Sequence, residues 1–154
     1  MDGKVRIILN LLRLSAQLHR LGLQLVEGTG LSSVQQWQLL GIIDRNEGIT
    51  LRELSEETLV TKQNMTGLIE RMRKGGWITT WNDVQDRRVT RVRITQQGKD
   101  TLKRMQPRTA ASNARTFQDF QEEELAMLDE MLDRLSRTVR VQVMEQIERS
   151  KKQK

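Results

Sequence analysis

The sequence contains no cysteine, only one histidine and only one proline. Without cysteine, a disulfide, a thiolate nucleophile, a thiol-based redox switch and a cysteine-ligated metal are all excluded. A single histidine does not build a soft-metal site within one chain, so we expect no metal and no cofactor. A glycine-rich phosphate loop and a nucleophile elbow are also missing from the sequence, and we therefore do not expect an enzyme.

A long uninterrupted hydrophobic run is missing as well. The most apolar stretch, residues 5 to 26, is broken by Arg6, Arg13, His19 and Arg20, so we do not expect it to span a bilayer. The start of the chain lacks the apolar core and the small-residue cleavage site of a signal peptide. The sequence therefore predicts a soluble cytoplasmic protein with no membrane partner. Its 154 residues are enough for one compact domain with or without an appended element.

Positive charge is abundant but unevenly distributed. The formal net charge is +6, and residues 62 to 104 contain 11 Lys and Arg against 4 Asp and Glu, a regional charge of +7 that leaves −1 for the remainder. Such a concentration predicts an anionic partner, either nucleic acid or an anionic membrane. A membrane-surface role would need the basic residues on one amphipathic helix, whereas here they lie largely on a hairpin.

The first part of the chain predicts two helices. Residues 4 to 26 form a helix that is apolar on most sides, and such a helix must be buried on more than one face. One small domain offers too few neighbours for that burial, so we expect a partner chain to cover part of it. Ser32 with Gln35 has the spacing of a capping box and predicts the start of the second helix, which Gly48 ends.

A helix-turn-helix is predicted next. Thr50 and Glu53 repeat the capping box and open a short helix over residues 51 to 58, and Thr61 is placed to cap the following helix. The Gly75-Gly76 pair ends that helix, because glycine accepts the left-handed conformation. The spacing i, i+3, i+4, i+7 predicts four buried positions in it, namely Met65, Leu68, Ile69 and Met72.

The hydrophobic period then changes to two residues. Residues 77 to 81 predict one strand, and residues 82 to 88 predict a turn. The second strand is predicted by the alternation of Thr90, Val92 and Ile94 with Val89, Arg91 and Arg93. A hairpin directly after a helix-turn-helix forms a wing, so residues 50 to 95 predict a winged helix-turn-helix.

Two further helices are predicted after the wing. Thr95 caps the first, which Pro107 is expected to kink or divide. The second begins near residues 122 to 124, three glutamates suited to the positive end of a helix dipole. It carries a heptad seam that requires a partner helix. That helix could belong to a foreign protein, but self-association is simpler, since the first helix also needs a cover. The seam consists of Leu125, Leu128, Leu132, Leu135 and Val139.

The predicted fold class is mainly α with a small β-hairpin wing, a winged helix-turn-helix with N- and C-terminal dimerisation helices. Residues 1 to 30 and 100 to 150 form the predicted helical dimerisation region. Residues 31 to 99 form the predicted DNA-binding region, and residues 150 to 154 a disordered tail.

The predicted DNA-binding residues lie on the second helix of the helix-turn-helix and on the wing. Such a helix enters the major groove by its N-terminal end, where Gln and Asn can bind adenine and Lys or Arg can bind guanine or phosphate. Its candidates are Thr61, Lys62, Gln63, Asn64, Thr66 and Arg71. The candidates on the wing are Asp86, Arg87, Arg88 and Arg91.

Each wing candidate has an expected role. Arg87 and Arg88 at the tip are placed to reach the adjacent minor groove, whose narrow A·T stretches concentrate negative potential. Asp86 is expected to hold the Arg88 guanidinium by charge-assisted bonds. Arg91 and Arg93 are expected to face outward, toward phosphates.

Two other interpretations fit parts of the pattern. A solvated basic hairpin would carry similar residues, with surface ion pairs worth about 0–1 kcal/mol each. A winged-helix protein-interaction module without DNA binding would show an apolar or acidic face on the second helix. Here that face is polar and basic and lies beside a basic wing, which favours DNA.

Over essentially its whole length, the chain resembles the MarR family of bacterial and archaeal transcriptional regulators. Asp86-Arg87-Arg88 matches the family's D-x-R wing motif, and residues 94 to 98 match the exit from the wing. The chain departs from the family pattern at Thr80, where Arg is frequent, and at Gly67, where a longer polar side chain is frequent. The matching scaffold positions are Leu54, Leu59, Thr66, Leu68, Met72 and Gly76.

This resemblance implies an obligate homodimer, joined by the first and last helices, that binds pseudo-palindromic operators. It implies that Arg88 enters the minor groove and that Asp86 orients it. It also implies a repressor that releases DNA when a small aromatic or anionic effector binds between the dimerisation and DNA-binding regions. His19 and Trp37 are the candidate pocket residues, although a surface or interface role for His19 and core packing for Trp37 are the alternatives.

Overall fold

The computed structural model describes residues 2 to 152 and confirms a mainly helical chain with one two-stranded hairpin. In chain order its elements are α1 (Gly3–Val26), α2 (Val34–Arg45), α3 (Leu51–Thr58), α4 (Lys62–Lys74), β1 (Ile78–Asn82), β2 (Thr90–Ile94), α5 (Gln96–Thr116) and α6 (Glu122–Lys152). The chain divides into two compact units, Met1–Ala111 and Ser112–Lys154, so the boundary falls within α5. Within residues 2 to 152, no helix is long and apolar enough to cross a membrane.

The core of the first unit is formed largely by side chains of α2, α3, α4 and the hairpin. The four positions of α4 that the sequence predicts to be buried are confirmed, with exposures between 0% and 6%. Their apolar side chains stand on one face of the helix, which leaves the opposite face to solvent. The largest fully buried side chains are Leu39, Leu40, Ile43, Leu54, Met65, Met72, Ile78, Met105, Val92 and Thr101.

The cap of α2 differs by one residue from the prediction. The Ser33 hydroxyl accepts the backbone N–H of Gln36 at 3.1 Å, and Gln36 Oε1 accepts the backbone N–H of Ser32 at 2.9 Å. The expected Ser32–Gln35 pair is therefore wrong. Both Ser-x-x-Gln pairs have the right spacing, and the observed one makes Val34 the first helical residue, which packs against Gly22 of α1.

The start of α3 is as predicted. Thr50 Oγ1 accepts the backbone N–H of Glu53 at 3.1 Å, and Glu53 Oε2 accepts the backbone N–H of Thr50 at 2.8 Å, which completes the capping box. These bonds lower the pKa of Glu53, with the bond to the Thr50 backbone as the main cause. The first helix of the helix-turn-helix is thus fixed at its N-terminus.

The turn between α3 and α4 places the second helix. Leu59 adopts a left-handed conformation with φ 56°, and Thr61 caps α4 by accepting the backbone N–H of Asn64 at 3.3 Å. At the other end of α4, Gly76 has φ 84°, a conformation that favours glycine. The chain then turns directly into β1, so the wing follows α4 with almost no intervening loop.

The wing is an antiparallel hairpin whose register runs from Ile78 opposite Ile94 to Asn82 opposite Thr90. The loop between α2 and α3 adds a short third segment to its edge. There, the Gly48 N–H donates to the Val92 carbonyl at 3.0 Å, and the Val92 N–H donates to the Ile49 carbonyl at 2.9 Å. The base of the wing is therefore joined to the helix-turn-helix by backbone bonds.

Helix α5 begins as predicted, because the Thr95 hydroxyl accepts the Gly98 N–H at 3.0 Å. Of the two outcomes expected at Pro107, a kink or a division, the division is wrong, since α5 continues past it to Thr116. Pro107 and Lys103 are both exposed, so water can satisfy the Lys103 carbonyl that loses its helical donor.

The Arg108 guanidinium donates to the carbonyls of Gln24 and Glu27 at the end of α1, at 2.5 and 3.0 Å.

The second unit contains α6, which begins at Glu122 as predicted. The helix includes residues 150 to 152 of the tail that the sequence predicts to be disordered, and Gln153 and Lys154 lie outside the described residues. In the heptad seam, Leu132 and Val139 are exposed and the other three residues are half-buried.

Candidate nucleic-acid interface

The N-terminal half of α4 presents polar side chains to solvent. Thr61, Lys62, Gln63 and Asn64 are all exposed, as is Thr66 one turn further along. Within residues 2 to 152, the side-chain amides of Gln63 and Asn64 and the ammonium of Lys62 form no hydrogen bond or ion pair. Their donors and acceptors are therefore available to an external partner.

The hydroxyl groups of the two threonines on this face form hydrogen bonds within the helix. The Thr61 hydroxyl accepts a bond as the N-cap, and the Thr66 hydroxyl donates to the Lys62 carbonyl at 2.9 Å. Arg71 is exposed, and its Nη1 lies 3.5 Å from the position that a Cβ would occupy at Gly67. The missing side chain at Gly67 thus leaves room for the Arg71 guanidinium on the helix surface.

The C-terminal half of α4 is partly neutralised. Glu70 accepts two bonds from the Arg73 guanidinium, at 2.9 and 2.8 Å, and its carboxylate lies 3.7 Å from Lys74 Nζ. The bond from Arg73 is the main cause of the lowered pKa of Glu70. Among the described residues, the cations of α4 without an ion pair are therefore Lys62 at its N-terminal end and Arg71 on its exposed face.

The wing tip contains the ion pair that the sequence predicts. Asp86 Oδ1 accepts Arg88 Nε at 3.1 Å, and Oδ2 accepts Nη2 at 3.2 Å. Asp86 Oδ1 also accepts the Arg88 backbone N–H at 3.1 Å. These bonds lower the pKa of Asp86, the side-chain bond more than the backbone bond. The Arg88 side chain is nevertheless 91% exposed, so its guanidinium is held in one direction without being covered.

Arg91 is oriented differently from the prediction. Its Nε donates to Asp83 Oδ2 at 2.5 Å, and its Nη1 donates to the Gly48 carbonyl at 2.8 Å. The expected outward orientation is therefore wrong, because the guanidinium turns toward the α2–α3 loop and is half-buried. Strand alternation predicts the face of the sheet on which a side chain lies. It does not predict a hydrogen bond to a carbonyl 43 residues away in the chain, such as that of Gly48.

Asp83 is a site residue that the sequence analysis missed. Its Oδ1 accepts the backbone N–H groups of Gln85 at 2.8 Å and Asp86 at 3.1 Å. An Asp that binds N–H groups two and three residues further on is typical of an Asx turn. The position of Asp83 at the start of the loop is a sequence feature that indicates such a turn. The bond from Arg91 is the main cause of its lowered pKa.

The remaining arginines of the wing face outward. Arg87 is exposed at the tip. The Arg93 guanidinium lies 5.2 Å from the centroid of the Trp81 ring, and its Nη1 lies 3.7 Å from Glu47. The outward orientation of Arg93 thus agrees with the prediction, and a cation–π contact supports it.

The two candidate pocket residues lie in different surroundings. His19 is exposed on α1, whereas Trp37 of α2 is half-buried and packs against the core. Trp77 also packs against the core. Their assignment to an effector pocket stays a prediction.

Comparison with known proteins identifies regulators that this chain resembles. A model of the MarR family matches residues 29 to 89. The chain is 33% identical over 119 residues to the transcriptional activatory protein BadR of Rhodopseudomonas palustris, which covers 75% of this chain and 67% of that protein. It is 31% identical over 100 residues to the transcriptional repressor IacR of Pseudomonas putida, covering 65% and 60%. The crystal structure of transcriptional regulator PA4135 superposes with a TM-score of 0.75 at 25% identity, covering 84% of this chain and 95% of that one. These relatives are transcriptional regulators rather than enzymes.

Proposed function

Because this chain belongs to the MarR family and is a DNA-binding transcriptional regulator, we propose that it binds a pseudo-palindromic operator as a homodimer. In this proposal, the N-terminal end of α4 enters the major groove and Arg88 of the wing enters the adjacent minor groove. The observation that carries it is the exposed Arg88 guanidinium, which Asp86 holds on the same unit as the unpaired polar side chains of α4.

Each of these side chains has a proposed role. Gln63 and Asn64 read base edges, and Lys62 and Arg71 bind guanine or phosphate. The first-turn N–H groups of α4 and the Thr61 and Thr66 hydroxyls suit phosphate oxygens. Asp86 orients Arg88, and Arg87 adds positive charge at the tip. The same polar and basic surface disfavours the alternative of a protein-interaction module without DNA binding.

The homodimer is proposed from the exposed apolar side chains of α1 and α6. Only Gly22 and Val26 of α1 are buried, and no residue of α6 is. Apolar surface of this extent indicates an association surface, and a second copy of the chain is the partner that two operator half-sites require. The exposed large apolar residues of the two helices are Val5, Ile7, Ile8, Leu9, Leu12, Leu14, Leu18, Leu21, Leu23, Met127, Met131, Leu132, Val139 and Val141.

We further propose repression as the mode of regulation and a small aromatic or anionic compound as the effector. The family resemblance supports both. BadR is named an activator and IacR a repressor, and the position of the operator relative to the promoter decides between these outcomes. His19 and Trp37 are the residues proposed to line the effector pocket. A regulator of this kind acts where the chromosome is, so we propose a cytoplasmic location.

Selection of genomic fragments by the purified protein at two salt concentrations tests the proposal. We expect a small set of retained fragments that share an inverted repeat, with half-sites about 34–36 Å apart. Retention should weaken strongly at the higher salt, because phosphate contacts release counterions. Sedimentation of the free protein should show a dimer. Retention of no fragment at either salt concentration, or a monomer in sedimentation, would contradict the proposal.

A further inference from the structure

A continuous series of polar contacts runs from the helix-turn-helix to the wing tip. It begins at the Gly48 carbonyl, two residues before Thr50, the N-cap of α3. Arg91 Nη1 donates to this carbonyl at 2.8 Å, while its Nε donates to Asp83 Oδ2 at 2.5 Å. A single guanidinium therefore joins the first aspartate of the wing loop to the frame that holds α3.

Asp83 extends this connection to the tip. Its second oxygen accepts the Gln85 and Asp86 N–H groups at 2.8 and 3.1 Å, which fixes the backbone from which the Asp86 side chain departs. Asp86 in turn holds both the backbone and the guanidinium of Arg88. The direction of Arg88 thus depends on Asp86, whose position depends on Asp83 and Arg91.

Backbone pairing alone leaves this part of the wing weakly constrained. Ladder pairing ends at Asn82 opposite Thr90, and two further backbone bonds cross the loop, Asp83 N–H to Val89 O and Val89 N–H to Asp86 O. A planar guanidinium can donate to two partners at a fixed angle, which an ammonium group does not reproduce. Only arginine at position 91 therefore keeps both partners in place.

We propose that Arg91 is a positioning residue for DNA binding, which fixes the direction of Arg88 relative to the helix-turn-helix by bridging Asp83 and the Gly48 carbonyl. This role rests on the proposed binding of DNA by Arg88. It differs from a direct phosphate contact, because the two bonds of Arg91 are made inside the protein.

Arg91→Lys separates positioning from charge, since it keeps the positive charge and removes the bridge. We expect the Kd for a selected operator duplex to rise about tenfold, as one newly mobile side chain in each wing loses its preorganisation. The slope of log Kd against log salt should not change, because no phosphate contact is lost. An unchanged Kd would overturn the proposal, as would a Kd for Arg91→Ala that rises together with a loss of about two units in the salt slope, one for each copy.

A double-mutant cycle with Arg88→Ala is the sharper test, because positioning acts only through Arg88. In the Arg88→Ala background, Arg91→Lys should leave the Kd unchanged. A tenfold effect in both backgrounds would overturn the proposal. Asp83→Asn, which breaks the bridge from the other side, should reproduce both results.

Arg137→Lys is the matched control, since Arg137 is also an exposed arginine paired with an aspartate, Asp133, but lies on α6 rather than on the wing or α4. Its Kd should stay within about twofold of the wild type, as is usual for an exposed ion pair. Thermal unfolding of every variant identifies loss of folding. If the wild type retains no fragment, the proposed function fails; if it binds normally and the cycle is additive, only the role of Arg91 fails.

Discussion

The N-terminal half of α4 and the wing loop both present polar residues to solvent but hold them in opposite ways. On α4, the side chains of Lys62, Gln63 and Asn64 form no bond to any other residue between positions 2 and 152. In the wing, the charged groups of Asp86 and Arg88 are bonded to each other and to the backbone. This difference fits the two proposed tasks, because base edges vary with sequence whereas a narrow minor groove concentrates negative potential for any arginine that enters it.

Both regions rest on one core. Met65 of α4 and Val92 of β2 are both 0% exposed and belong to the same hydrophobic cluster. The N-terminal half of α4, whose side chains are free to adapt, and the wing, whose side chains are fixed, are therefore supported by the same hydrophobic core. Substitutions can remove this shared support or act on either region alone.

Removal of the shared support should have the largest effect. Met65→Ala deletes a fully buried side chain and should lower the free energy of unfolding by roughly 2–5 kcal/mol. Urea unfolding followed by circular dichroism measures this loss, with Val84→Ala in the wing loop as the control, because Val84 is 92% exposed. Equal midpoints for the two variants would show that α4 does not depend on this packing.

Loss of the fixed arginine should weaken binding to every duplex. Arg88→Ala removes a charge-assisted contact from each copy and should cost roughly 3 kcal/mol of binding free energy, on the order of a hundredfold in Kd. Fluorescence anisotropy with selected and random duplexes measures it. Arg137→Ala is the control, because Arg137 is also an exposed arginine paired with an aspartate, Asp133, but lies on α6. Similar losses for both variants would assign the effect to net charge.

Truncation of the adaptable side chains should instead relax sequence preference. Gln63→Ala or Asn64→Ala should lower affinity for the selected operator by roughly 1–3 kcal/mol, with little change on random DNA. Binding to a library with single base-pair changes identifies the position that each side chain reads. A uniform loss across the library would show that these residues contact phosphate rather than bases.

The smallest effect concerns pH. Because the pKa of Asp86 is lowered in the folded protein, the stabilisation from its bonds to Arg88 is fully present above the ordinary Asp value of about 3.9. It is lost only as pH falls through the lowered value. We expect the ¹³C chemical shift of Arg88 Cζ to stay constant from about pH 8 to pH 5. A change within that range that is absent in Asp86→Asn would contradict this.

Local signals were sufficient for most of the fold. The Thr50–Glu53 box, the Thr61 cap and the burial pattern of α4 each depend on residues close in sequence, and the structure contains all of them. The predicted cap of α2 is one residue too early, because adjacent residues form two Ser-x-x-Gln pairs with the same spacing. The choice between the two pairs depends on the packing of Val34 against Gly22, a contact between different helices.

The contacts of the candidate site also differ in whether their partners are close or distant in the sequence. The Asp86–Arg88 pair spans two residues and could be predicted, whereas the partners of Arg91 and Arg108 lie 43 and more than 80 residues away. Only the folded chain brings such groups together. Asp83 lies between these cases, because its turn is local but its bond to Arg91 depends on the hairpin register.

Titration of one selected operator duplex across a salt series, with the wild type and Arg88→Ala in parallel, tests the central claim most directly. If Arg88 and the N-terminal end of α4 bind the same duplex, log Kd for the wild type should rise linearly and steeply with log salt. Arg88→Ala should then bind more weakly at every salt concentration, with a shallower slope. Coincident curves for the two proteins, or a wild-type Kd independent of salt, would contradict the account.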